Sequence, residues 1–333
     1  MEVQLHHIPD MVGRNNGGMN DNGNMMKALS NRSQHVVHLT HNDLDAVGGD
    51  AIHRMRYDTE GVFTIFSSVG KFSALLSTVA GSPGRGDLLS ISDLGFQKGS
   101  VEKLKKAKSN GWRIEWRDHH RWTEEEAAAV EKAGVLLHID TEICATAIVA
   151  RDLMPGDAKA AEVARVVCDY DLWRHTDPRS KVLGQVVMRK EYRDHVRDVL
   201  IRGVFSDATI EAEYASIIRE MEEQIEHSIR HTTVLGTKYR IAFAPLYGYP
   251  SETAHTIRDR LGTDIEVIIS DNGRFSIRSV PPISHLIARE FDGGGHPPAA
   301  GGTFQFTFFD KVRFFLLKRT RHFDDLVRVA ESL

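Results

Sequence analysis

Five short apolar runs, HVVHL (35–39), VFTIF (62–66), DLLSIS (87–92), WRIEW (112–116) and VLLHI (135–139), are separated by stretches of helical composition such as VEKLKKAKSN and EEEAAAVEKAG. Runs this short are strands, and strands that alternate with helices pair in parallel, with helices covering both faces of the sheet. The fold class expected is therefore α/β, built on a parallel sheet. Helical composition continues through GDAKAAEVARVV, and residues 207–231 hold neither Pro nor Gly, as a long connecting helix would. Beyond them come a strand, YRIAFAPL (239–246), a helix opened by Ser251, a strand, DIEVIIS (264–270), and the turn dipeptide Asn272-Gly273 leading into RFSIRS. This predicts a second, smaller α/β domain. Residues 1–30, rich in Asn, Gly and Met, have little to bury and are expected to form a flexible tail. The expected division is a tail over 1–30, a first domain over 31–200, a helical linker over 201–232 and a second domain over 233–333.

Bulk properties narrow the function. The 333 residues carry 42 Lys+Arg against 46 Asp+Glu, a net charge of −4. That is no footprint for long nucleic acid, although a short anionic substrate is compatible with it. Cys144 and Cys168 are the only cysteines and form no CxxC pair, which excludes a disulfide scaffold and a thiolate zinc site and suits a reducing cytoplasm. No apolar run reaches the ~18 residues of a membrane span, and the N-terminus lacks a signal pattern. A cytoplasmic protein without a membrane partner is expected.

Open parallel sheets bind ligands beyond the carboxyl ends of their strands. The tip after the first strand reads THNDLDA, with His41, Asp43 and Asp45 at every second position. In an extended backbone all three would point to one side. Hard oxygen donors with one imidazole suit manganese or magnesium. Asp93 follows the third run and Asp118-His119-His120 the fourth. An aspartate after a strand is ordinarily a turn or cap residue, but three strand ends that deliver Asp and His to one sheet edge make a metal site the better reading.

HNDLDA, SDLG and RDHH, in that order, resemble the first three motifs of the DHH phosphoesterase superfamily, and GGGHPPAAG (293–301) resembles the signature of the DHH-associated substrate-binding domain. The resemblance spans about residues 35–305 and implies a metal-dependent phosphoesterase with two divalent ions, manganese preferred and magnesium an alternative. It implies that His41 and Asp43 hold one ion and Asp45 and His119 the other, with Asp93 bridging. The remaining ligand comes from VVCDYDLW, with Asp171 chosen over Asp169. His120 would face the scissile phosphate and Asp118 would orient the histidines. On the second domain, Arg278 with its neighbour Ser279, the glycines Gly293, Gly294 and Gly295, and His296 would bind substrate.

The C-terminal signature disfavours the pyrophosphatase branch, and the chain has no room for the oligonucleotide-binding barrel of larger RecJ enzymes. The implied activity is nanoRNase-like hydrolysis of short oligonucleotides or dinucleotides, with nucleoside bisphosphates as further substrates. Cyclic dinucleotides are the alternative among substrates, and a non-catalytic nucleic-acid-binding protein is the alternative of another class. Homodimer formation is left open. One departure from the family is DAVGG, where Gly49 replaces an expected serine and Asp50 follows.

Overall fold

A computed structural model describes residues 20–333, which divide into two compact units, the first reaching Tyr214 and the second Ala215–Leu333. The first unit runs α1 (Asn20–Asn31), β1 (Val36–Thr40), α2 (Leu44–Tyr57), β2 (Val62–Phe66), α3 (Val69–Gly81), β3 (Leu88–Ser92), α4 (Ser100–Ser109), β4 (Arg113–Asp118), α5 (Glu124–Lys132) and β5 (Leu136–Ile139). The helices α6 (Ala145–Leu153), α7 (Ala158–Asp171), α8 (Pro178–Val186) and α9 (Arg193–Ile201) follow. The expected α/β class is observed: all five strands pair in parallel, in the order β2-β1-β3-β4-β5. Residues 1–19 of the expected tail lie outside the described residues. Its remainder is helical, because Leu29 is fully buried and Met25 packs against the same apolar core.

Alternation along β1 and β3 gives the sheet two unlike faces. Val37, Leu39, Leu89 and Ile91 face a core shared with Phe72, Leu76, Leu104, Trp112 and Trp116. The alternate residues His38, Thr40, Ser90 and Ser92 are equally buried, on the other face. In register, His38 lies beside Ser90 and Thr40 beside Ser92. A polar face usually meets water; here it is buried and forms its own hydrogen bonds.

Helix α10 (Ala208–Arg230) carries the chain into the second unit, which continues with β6 (Thr233–Leu235), β7 (Ile241–Pro245), α11 (Pro250–Leu261), β8 (Ile265–Ile269), β9 (Arg274–Ser279), α12 (Ser284–Arg289), β10 (Gly294–His296), β11 (Ala299–Thr303), α13 (Phe308–Leu317) and α14 (His322–Ser332). Its mixed sheet has the order β10-β11-β9-β8-β7-β6, with only β7 and β8 parallel. Its core gathers Phe243, Val267, Ile277, Phe304, Phe314 and Phe323. At the predicted turn, Gly273 has φ 88°, a left-handed backbone that glycine adopts without steric cost.

Candidate metal centre

The strand order reverses between β1 and β3, so the helices that follow them depart to opposite faces and open a crevice at their carboxyl ends. His41 follows β1 directly. Asp43 is the N-cap of α2, accepting the Ala46 amide proton at 3.1 Å, and Asp45 lies in that helix's first turn. The three side chains therefore converge through a strand-to-helix turn and not through the extended run expected from their spacing. Asp93 follows β3 in left-handed backbone, φ 55°, which a short polar side chain tolerates best after glycine. Asp118 ends β4, and His119 and His120 come next; Asp171 ends α7.

The His41 Nδ1 lies 2.6 Å from the Asp43 carboxylate and 3.8 Å from that of Asp93. His119 turns Nε2 to Asp93 at 3.3 Å and to Asp45 at 3.9 Å, and Nδ1 to Asp171 at 3.6 Å. Two ligand groups result, His41–Asp43–Asp93 and Asp45–His119–Asp171, each with its donor atoms within 4.8 Å of one another. Asp93 also groups with His119 and His120, so it faces both sets. Asp169 belongs to neither. Its carboxylate accepts from the Thr176 and Asp177 amides at 3.0 Å each and from the Thr176 and Ser180 hydroxyls, which makes it a loop cap. The buried Asp118 carboxylate binds His120 Nδ1 at 2.8 Å and accepts the Trp122 indole proton at 2.6 Å, leaving the half-exposed His120 ring open on its other side.

The cluster is short of positive charge. Burial and then the charge of Asp171 push the Asp45 carboxyl up to about 8, while burial and then Asp45 hold Asp93 well above the usual carboxylate range. Asp171 is raised by burial and by Asp43, against the opposing pull of His119. Burial also pushes Asp43 upward, but its bond to His41 outweighs this and holds it below the usual value. One buried oxygen each of Asp93 and Asp171 has no hydrogen-bond partner. Crowded carboxylates with unshared lone pairs and imidazoles at hand form a donor set that fits divalent cations.

Two supports carry no obvious sequence signal. The amides of Ala145 and Thr146, at the N-terminus of α6, donate to the Asp45 carboxylate at 2.8 and 2.7 Å, and the Thr146 hydroxyl donates to the Asp45 carbonyl at 2.6 Å. A helix N-terminus a hundred residues away thus fixes this ligand. Just before it, Cys144 is joined in a disulfide to Cys168, three residues before Asp171; where the cysteine spacing excluded a disulfide scaffold, the structure has one disulfide, because α6 and α7 pack together. At the departure in DAVGG, a Cβ on Gly48 would come within 2.8 Å of Thr146 and Val167, so this glycine lets α2 lie close to α6 and α7. Asp50 turns away from the cluster into the buried polar face of the sheet.

In the second unit, the register sets His296, Ala299 and Arg278 side by side across β10, β11 and β9, so His296 and Arg278 share a sheet face. The Arg278 guanidinium donates to the Ser276 and Ser251 hydroxyls at 3.1 and 3.0 Å. Ser279 differs from expectation: it points to the other face, is buried, and bonds the Ser284 hydroxyl at 2.7 Å, out of reach of a ligand on the Arg278 face. Gly293, Gly294 and Gly295 form no open loop. Gly294 and Gly295 lie in the edge strand β10, and a Cβ on Gly293 or Gly295 would collide with the β11 backbone.

No protein-family model matches the chain, and no curated protein matches it in sequence. Among solved structures it is similar to a pGpG-specific phosphodiesterase, PggH, from Vibrio cholerae, at TM-score 0.49 and 12% identity over 85% of this chain and 98% of that one. It is similar to RecJ in complex with Mn2+ from Thermus thermophilus, at TM-score 0.49 and 14% identity over 94% of this chain and 54% of that one. A third similar structure is an exopolyphosphatase-related protein from Bacteroides fragilis, at TM-score 0.44 and 15% identity over 92% and 97% of the two chains. In the order of its motifs and in the α/β fold that carries them, the chain resembles the DHH phosphoesterase superfamily.

Proposed function

We propose that the protein is a metal-dependent phosphodiesterase that cleaves short oligonucleotides or linear dinucleotides. The observation that carries this reading is the pair of ligand groups meeting at Asp93, with buried oxygens on Asp93 and Asp171 that have no hydrogen-bond partner. His41, Asp43 and Asp93 would hold one divalent ion, and Asp45, His119, Asp171 and the shared Asp93 a second. A bound pair of such ions supplies Lewis acidity toward a phosphate and lowers the pKa of a water.

The remaining residues orient and carry protons. The Asp118 hydrogen bond raises the His120 imidazole above its ordinary pKa, so near neutral pH more of it is protonated and able to donate to a phosphate oxygen. Trp122 holds Asp118 in place from its other oxygen. Arg278 and His296, on one face of the second unit's sheet, would be substrate contacts, a planar guanidinium being suited to a terminal phosphate.

The test is a turnover panel with manganese: two-to-five-nucleotide RNA and DNA, cyclic dinucleotides, a nucleoside bisphosphate, pyrophosphate and bis(p-nitrophenyl) phosphate. Fastest turnover on the linear two-to-five-mers is expected. Replacing Arg278 and His296 with alanine should raise KM for a dinucleotide by ~10-fold or more, as lost charge-assisted contacts do, and barely change the minimal ester. Preference for cyclic dinucleotides would move the assignment to that class. No turnover of any phosphoester with metal would overturn it.

A further inference from the structure

Helix α13 turns its apolar side outward. Its sequence is FFDKVRFFLL, and Phe308, Phe309, Phe315, Leu316 and Leu317 are between 66 and 81% exposed, with Val312 at 42%. Only Asp310 and Phe314 are buried. The helix is held in this orientation: Thr307 and Asp310 form a capping box at its start, and Phe314 packs in the core beside Phe323. At 100° per residue, Phe315, Phe308, Val312, Leu316 and Phe309 occupy an arc of about 120°, opposite the buried side. Lys311 borders the arc on one side and Arg313 on the other, both exposed. Lys318, Arg319 and Arg321 follow, and Asp310, the one acid in residues 308–321, is buried and bonded to Thr307.

We infer that α13 docks the protein on an anionic lipid surface, lying in the interface plane with its aromatic and aliphatic side chains among the acyl chains and its basic rim among the headgroups. An apolar arc framed by Lys and Arg is the pattern that binds such surfaces. The absence of a run long enough to span a bilayer does not bear on a helix lying at the surface. A second copy of the chain is a worse occupant, because a two-fold contact through this patch would bring the two basic rims together. Single-stranded nucleic acid would use the phenylalanines as stacking platforms but leave Val312, Leu316 and Leu317 unused.

The experiment is flotation of the full chain with phosphatidylcholine vesicles with and without phosphatidylserine. The protein should float with the phosphatidylserine vesicles and much less with the neutral ones. Phe309→Ser combined with Leu316→Ser should weaken binding about tenfold or more, since apolar burial is lost. Lys311→Glu combined with Arg313→Glu should do the same by reversing the rim. Both pairs are exposed, and unchanged turnover on the best substrate checks that the variants fold. If the serine pair does not fold, Phe309→Trp supplies the answer, because its added emission should be quenched by brominated acyl chains. Failure to float with phosphatidylserine vesicles, or floating unaffected by either pair, overturns the inference. So does a concentration-dependent dimer that the serine pair abolishes, or binding of a single-stranded DNA oligomer that the serine pair abolishes while flotation persists.

Discussion

The first unit contains two clusters of buried Asp and His, both built on β1, β3 and α2, and they are in opposite electrostatic condition. Beneath α2, Asp50 receives the Thr64 hydroxyl at 2.5 Å, Arg54 at 3.1 Å and the His38 imidazole at 3.4 Å, with Arg197 at 3.7 Å. Burial would raise its pKa, but these partners outweigh burial and hold the carboxyl far below the usual range. His38 and His53 stack at 4.0 Å and are kept neutral by burial, and each ring bonds a strand serine, Ser92 or Ser90. At the sheet's edge, Asp45, Asp93 and Asp171 have raised carboxyls, and two of their oxygens have no hydrogen-bond partner. The first cluster neutralises itself and stabilises the fold. The second keeps crowded carboxyls short of hydrogen-bond partners and of positive charge, so partner count, more than residue type, distinguishes the two clusters.

The sharpest way to break the comparison is to neutralise one carboxylate in each cluster. Asp93→Asn should lower turnover by at least ~10²–10³, the usual loss when one strong electrostatic contribution to the transition state is removed. The metal-free variant should melt no lower than wild type, because a raised carboxyl is replaced by a neutral amide. Asp50→Asn should do the reverse, costing about 3 kcal/mol by leaving arginines without their buried partner. Its turnover per folded molecule should stay within about tenfold, as expected for a structural group. Melting curves and kcat for the two variants decide it, and parallel behaviour would mean that the two clusters act as one.

The same contrast repeats within one short segment. Asp171→Asn should weaken manganese binding by about 10-fold or more, at least the cost of losing a supporting group around a metal. Asp169→Asn should leave affinity nearly unchanged and lower stability by about 1–3 kcal/mol, because the amide keeps one acceptor oxygen and puts an NH2 donor against one of the Thr176 and Asp177 backbone amides. A metal titration by calorimetry on both variants reads this directly, and the reverse ranking would move the ligand to Asp169.

These contrasts also define what could be read from sequence. The five strands of the first sheet and the long connecting helix are visible because short apolar runs alternate with helical composition, and the polar strand tips name His41, Asp93 and His119 as neighbours. What sequence does not carry is the return of the chain. The amides that hold Asp45 lie a hundred residues on, in an ordinary helix start after Cys144. The buried polar face of the sheet looks like a solvated one, because His38, Ser90 and Ser92 alternate with apolar residues whichever face meets water. Helix α1 is hidden by its Asn- and Gly-rich neighbours, since one fully buried leucine does not change composition.

A smaller effect should appear in how stability follows pH. Asp45 titrates near 4 when unfolded and near 8 when folded without metal, so its neutral form favours the fold. That stability is fully present below the unfolded value and is lost as pH rises through about 8. Metal-free protein should therefore melt lower at pH 8 than at pH 5. Manganese, which favours the ionised carboxylates, should raise the melting temperature more at pH 8 than at pH 5. The Asp50→Asn variant should keep this difference and the Asp93→Asn variant should reduce it. A manganese-induced shift independent of pH would show that the raised carboxyls are not the groups that bind.

The disulfide offers the finest separation of the two clusters, because it touches only one. Cys144 stands next to the amides that grip Asp45, and Cys168 is nearly one helical turn before Asp171, so the bond ties together two ligands assigned to the same ion. Reduction should free α6 from α7 at this point, while the two amide bonds to the Asp45 carboxylate and the Thr146 bond to its carbonyl, which involve no cysteine, should persist. The expected consequence is a graded one: manganese affinity falls a few-fold on reduction or in a Cys144→Ser, Cys168→Ser double variant. The His41–Asp43–Asp93 group should lose less, so a two-site titration should show one phase shifting more than the other. Identical titrations with and without reductant would mean that the amide grip suffices by itself, and that the covalent tie serves the packing of α6 on α7 and not the metal centre.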